Sequence, residues 1–131
     1  MNSITILMPV TVKAKLTDKL RARLVDEATK AAEQLQLEIK QIQIDMQREL
    51  ERAPEHEDEI RNFFGNEIGP RQARLEETLH RKETLEKLAP GAEITQGTTN
   101  REVELKIGDN LRDAMNVEIL VEDDKIIAIR G

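Results

Sequence analysis

The sequence predicts an α+β protein, a long antiparallel two-helix coiled-coil hairpin inserted into a small four- or five-stranded β module made from both chain ends. Three observations predict it. Both ends of the chain alternate apolar and polar residues with period two, and the middle repeats aliphatic residues at helical spacing for more than thirty positions. Charged residues make up 35% of the 131 residues and aromatics only 2%, Phe63 and Phe64. A broad core anchored by large rings is therefore excluded, and the apolar side chains have to work in stripes.

The first element is ITILMPVTVKAKL, from Ile4 to Leu16, rich in β-branched residues, with Val10, Val12, Ala14 and Leu16 alternating against Thr11, Lys13 and Lys15. It predicts a strand with one buried face. Pro9 cannot donate to a ladder, so the strand lies at an edge there or bends. Thr17 then offers a capping oxygen, with Asp18 suited to the positive end of a helix.

Along the first predicted helix, apolar or small residues fall at Leu20, Leu24, Ala28, Ala31, Leu35, Ile39, Ile42, Met46, Leu50 and Ala53. The steps of four, four and three repeat, an eleven-residue rhythm that predicts a straight or slightly right-handed seam. Leu35 to Met46 also alternates with period two, but its setting in a long stretch free of Gly and Pro and dense in Glu, Gln, Lys, Arg and Ala decides for helix. The residue before Pro54 is pushed out of helical conformation, so the helix ends near Arg52 and the turn falls at 53–57. A second helix begins within Glu55 to Glu59 and runs to about Leu88, with Ile60, Phe64, Ile68, Leu75 and Leu79 inward and an interruption or kink at Gly69-Pro70. Arms of this length, roughly 50 Å at ~1.5 Å per residue, return the chain to its start. The expected division is 1–16 for the amino-terminal strand, 17–89 for the hairpin and 90–131 for the rest of the β module.

After Pro90 and Gly91 the period returns to two. Val103, Leu105 and Ile107 predict one strand, Val117, Ile119 and Val121 another, and Ile127 and Ile129 a third, with Asp123-Asp124 as a hairpin turn. Asp109 is placed to cap a short helical turn from Leu111 to Met115. A curled sheet or small barrel follows.

The extended start, the charged helical middle, Gly91-Ala92-Glu93-Ile94, the Val103, Leu105, Ile107, Gly108, Asp109 strand and turn, and the Lys125 to Arg130 ending together resemble the YlqD family of bacterial proteins. The resemblance covers most of the chain and implies this architecture. Its members are uncharacterised, so it carries over no catalytic residue.

Cysteine is absent, which excludes disulfides and thiolate chemistry and suits a reducing compartment. No apolar run reaches the ~18 residues of a spanning helix, and Ile4 to Val12 lacks the basic start and cleavage site of a signal peptide, so the cytoplasm is expected. A formal net charge of −6 argues against a nucleic-acid or anionic-membrane partner. Arg71, Arg74, Arg81 and Lys82 are interleaved with Glu76, Glu77 and Glu83 and have no stacking aromatic, which predicts a charge-paired face rather than a phosphate track. His56 and His80 lie far apart in the predicted hairpin, and Ser3 is the only serine. Neither a metal centre, a nucleophile, a small-molecule substrate nor a bound cofactor is expected.

Two clusters carry functional readings. Leu37 and Ile44 fall opposite the main stripe, giving the first helix a second apolar side on which the protein forms a homo-oligomer, dimer or tetramer, or grips an unidentified protein partner. Glu55, Glu57, Asp58 and Glu59, with His56 among them, form an acidic hairpin tip. The tip suggests an accessory factor inserted into a larger machine, as in transcript-cleavage factors, although such residues also simply solvate a turn and suit a helix start. A prefoldin-like holdase is a further alternative. The leading expectation is a non-enzymatic structural or protein-interaction module.

Overall fold

The computed structural model describes residues 1–131. Its elements in order are β1 (Ser3–Lys15), α1 (Asp18–Arg52), a 3₁₀ turn (Pro54–His56), α2 (Glu57–Lys87), β2 (Glu93–Lys106), α3 (Leu111–Ala114), β3 (Glu118–Glu122) and β4 (Lys125–Arg130). Two compact units result, one built from residues 1–21 and 88–131, the other from residues 22–87.

The first unit is a four-stranded mixed sheet in the order β2-β1-β3-β4. β1 pairs antiparallel with β2 along its whole length and parallel with β3 over Thr11 to Ala14, and β4 returns antiparallel on β3. Thr11 donates its N–H to the carbonyl of Val117 at 3.1 Å. Two residues earlier, on the same side of the strand, Pro9 therefore has its nitrogen on an edge that β3 does not reach, and no ladder bond is lost. The register of β1 on β2 shifts between Val12 and Lys13, where Gly97 and Thr95 are their partners, a bulge that leaves Gln96 unpaired. Val10, Ala14, Leu16, Val117 and Leu120 are buried in this unit, with Ala114 of α3.

The sheet is open, not a barrel. Only four strands are present, and β2 and β4 each pair on one side. An ion pair bridges the two edges: Arg130 at the end of β4 reaches Glu93 at the start of β2, and also Glu118 on β3 at 2.8 Å. Of the curled sheet and the small barrel expected from the sequence, the open sheet is the one found. β2 also begins ten residues before Val103, because Thr95 to Asn100 pairs on β1 without any apolar alternation to announce it. Ile107, expected in this strand, lies just beyond it and is exposed.

Local chemistry explains the joints. Asp123 and Asp124 both take positive φ, 45° and 69°, the conformation of the tight turns that join antiparallel strands. Thr17 accepts the N–H of Leu20 at 3.1 Å as the cap of α1, and its hydroxyl donates to Asp123 at 2.8 Å. The cap of α3 is Asn110, whose side chain accepts from the Arg112 N–H at 3.0 Å. Asp109, expected in that role, instead accepts from the Lys106 N–H at 2.8 Å and closes the turn after β2.

The second unit is the helical pair. α1 has 35 residues and α2 has 31, and the chain leaves the helix at Ala53, immediately before Pro54. The seam of α1 is buried at Leu24, Ala28, Ala32, Leu35 and Ile39 and half-buried at Ile42, Met46 and Leu50. Ala32, not Ala31, takes the inward position, because a third step of four precedes the first step of three. On α2 the shielded residues are Ile60, Phe64, Ile68, Arg71, Leu75, Thr78, Lys82 and Leu85, with only Leu85 fully buried. Leu79, expected inward, is exposed, and Thr78 holds the seam position with its hydroxyl donating to the Arg74 carbonyl at 2.8 Å.

α2 runs unbroken through Gly69 and Pro70, so the expected interruption does not end the helix. Pro70 is exposed, where water reaches the backbone groups it disturbs, and the Arg71 guanidinium donates to the Glu67 carbonyl at 2.8 Å.

Candidate functional site

The outward side of α1 carries an exposed aliphatic pair. Leu37 and Ile44 sit seven residues apart on a helix whose inward stripe is already used, and they are 63% and 39% exposed. The geometry follows from the helical period: Leu35 and Ile39 turn inward, which leaves Leu37, two residues from each, on the other side. Around them the side is charged and amide-bearing. Lys30 pairs with Asp26 at 2.9 Å, which raises the lysine above its ordinary range through that hydrogen bond. Gln41 donates to Asp45 at 3.0 Å.

The acidic tip holds together as a turn. Glu55, Glu57, Asp58 and Glu59 are all exposed. His56 lies 3.9 Å from Glu55 and 3.7 Å from Glu59, beyond hydrogen-bonding distance, and Glu57 already accepts from Arg61 at 3.0 Å. Nowhere in the protein do three His, Asp or Glu side chains converge as cation ligands.

Between the helices, the small side chains of Ala28 and Ala31 leave a groove of about 380 Å³, lined also by Leu24, Arg74, Thr78 and Arg81. Arg71 crosses to Glu38 on α1 at 3.3 Å, and Glu83 is held by Lys87 at 2.7 Å. Of the arginines of α2, Arg61 pairs within its own helix, Arg71 makes the interhelix contact, and Arg74 and Arg81 wall the groove.

Sequence reasoning missed exposed aliphatic residues at two separate places on the sheet, one on β1 and one on β4. Ile4, Leu7, Ile126, Ile127 and Ile129 are all exposed. The signal was present in Ile126-Ile127-Ala128-Ile129, an aliphatic run that a half-buried strand would have alternated with polar residues.

The chain matches the family model described as YlqD protein over residues 4–130. It belongs to the YlqD family. No curated protein matches this YlqD chain. Among solved structures it is similar to a crystal structure of a protein of unknown function from Synechococcus sp. WH 8102, 22% identical, covering 98% of this chain and 97% of that one with a TM-score of 0.90. At that identity the likeness shows the fold alone. In this YlqD chain no helix is long and apolar enough to cross a membrane.

Proposed function

We propose that this YlqD chain is a non-enzymatic structural or protein-interaction module, acting in the cytoplasm, that self-associates through the outward side of its helical arm. The observation that carries the reading is the exposure of Leu37 and Ile44 on a helix already packed along its opposite side. A pair of helices buries little apolar surface by itself, α2 contributing one fully buried residue, and four-helix packing is the common remedy. The acidic tip gains no comparable support: Glu57 is already paired with Arg61 of its own helix, and no three acidic or His side chains converge there.

The double variant Leu37→Glu/Ile44→Glu tests the reading. Its mass by light scattering should fall to that of one chain under conditions where the unaltered protein is larger, with helical circular dichroism retained. An unchanged mass removes this side of α1 from the interface.

A further inference from the structure

We infer that a second copy of this chain docks on the outward side of α1 in one register, antiparallel, about a two-fold axis level with the Lys40–Gln41 peptide. The inference rests on the self-association proposed above and specifies its geometry. At roughly 100° per residue, Lys30, Glu33, Ile44, Arg48 and Glu51 all lie within about 40° of Leu37 around the helix. They form one narrow strip, roughly 30 Å long at ~1.5 Å per residue, and every member is exposed.

The strip is self-complementary when reversed. With the axis at Lys40–Gln41, Leu37 of one copy meets Ile44 of the other, Glu33 meets Arg48, and Lys30 meets Glu51, each contact occurring twice. Paired residues lie on opposite flanks of the strip, as the facing layers of antiparallel helices require. Glu33, Arg48 and Glu51 enter no ion pair within the chain, whereas Lys30 is held by Asp26 at 2.9 Å and Glu51 accepts from Gln47 at 3.5 Å, so Glu33 and Arg48 are the charges most open to a second copy.

Other arrangements of the same strip are poor. A parallel pair sets Lys30, Glu33, Arg48 and Glu51 each against its own copy, four layers of like charge. Sliding the antiparallel pair to put Leu37 on Leu37 brings Lys30 against Ile44. The opposite slide, Ile44 on Ile44, brings Leu37 against Glu51 and Lys40 against Arg48. Leu37 on Leu37 also sets Asp26 against Arg48 and Arg23 against Glu51, but only the stated register stacks all four aliphatic side chains on one another and sets opposite charges together. Four aliphatic side chains fall short of the ~800 Å² per partner of a standard interface, so the dissociation constant is expected in the micromolar range or weaker, rising with salt.

Charge reversal on the full chain, read by sedimentation equilibrium, tests the register. Glu33→Arg alone, or Arg48→Glu alone, creates two like-charge contacts and should weaken the dimer about tenfold. An equimolar mixture of the two single variants, and the double variant Glu33→Arg/Arg48→Glu, should both recover the unaltered affinity, because each restores opposite charges at both sites. Single variants that dimerise as tightly as the unaltered chain overturn the register and leave the Leu37 and Ile44 reading to its own test. A chain that stays monomeric at millimolar concentration overturns both.

Discussion

At the scale of single residues, Arg130 has the widest reach in the sheet. Its guanidinium is shared by Glu93 and Glu118, which lie on two different strands. Both carboxyls are held below their ordinary range, Glu93 chiefly by its hydrogen bond from Arg130 and Glu118 chiefly by that from Lys13, 2.8 Å away, with Arg130 adding to it. A carboxyl whose folded value is depressed contributes stability above its unfolded value and loses it as the pH falls through the folded one. The ordinary value here is 4.5, so the contribution is intact at neutral pH and fades below that point. The variant Arg130→Gln should therefore be less stable than the unaltered chain at pH 7, and the difference between their urea midpoints should narrow at pH 3. A gap of equal size at both values would show that the contact works by packing alone. Nothing in the sequence announced this cluster, because its members come from four strands whose register only the fold establishes.

Among the elements, the two helices differ in how they are held. α1 has a stripe buried from Leu20 to Ile39 and half-buried beyond it, whereas α2 carries Gly65, Gly69 and Pro70 inside a helix with one buried side chain. A Cβ added at Gly65 or Gly69 would meet nothing within 4 Å. Gly69→Ala should then stabilise the chain by up to about 1 kcal/mol through helix propensity. Pro70→Ala should add roughly 3 kcal/mol if α2 bears the full cost of an interior proline, and less to the extent that solvent meets the disturbed carbonyls. Thermal unfolding of the three proteins measures both, and a loss of stability in Gly69→Ala would mean that the glycine is needed for the path of the helix. The legibility of the elements follows the same contrast. α1 was readable down to its ends, since Thr17 caps it and Pro54 stops it, and the single slip from Ala32 to Ala31 exchanged two identical side chains. α2 was readable in extent and, at Ile60, Phe64, Ile68 and Leu75, in facing, but not at Leu79. Thr78 and Lys82 take seam positions that hydrophobicity alone assigns to Leu79. In β2, Thr95 to Asn100 pairs on β1 through its backbone, and an exposed edge strand asks for no apolar pattern.

For the whole molecule, the division into a sheet from both chain ends and a helical pair between them was legible because the period of the pattern changes twice, after Leu16 and after Leu88. Closure of the sheet was not legible, since four short runs of alternation suit an open sheet and a barrel equally, and the strand order β2-β1-β3-β4 depends on pairings between residues about a hundred positions apart.

The pairing of Lys15 with Glu93 closes a loop of more than seventy residues. In a flexible chain that closure carries an entropy cost growing with the logarithm of its length, and a stretch already folded back on itself shortens the loop, saving roughly 2 kcal/mol. The consequence is an order of events. Local helix formation should come first and bring the strand ends within reach, after which the long-range ladder forms quickly. Leu35→Ala, a change confined to the arm, should accordingly slow refolding of the sheet in stopped-flow experiments as well as speeding its unfolding. If only unfolding accelerates, the ends find each other before the arm has formed.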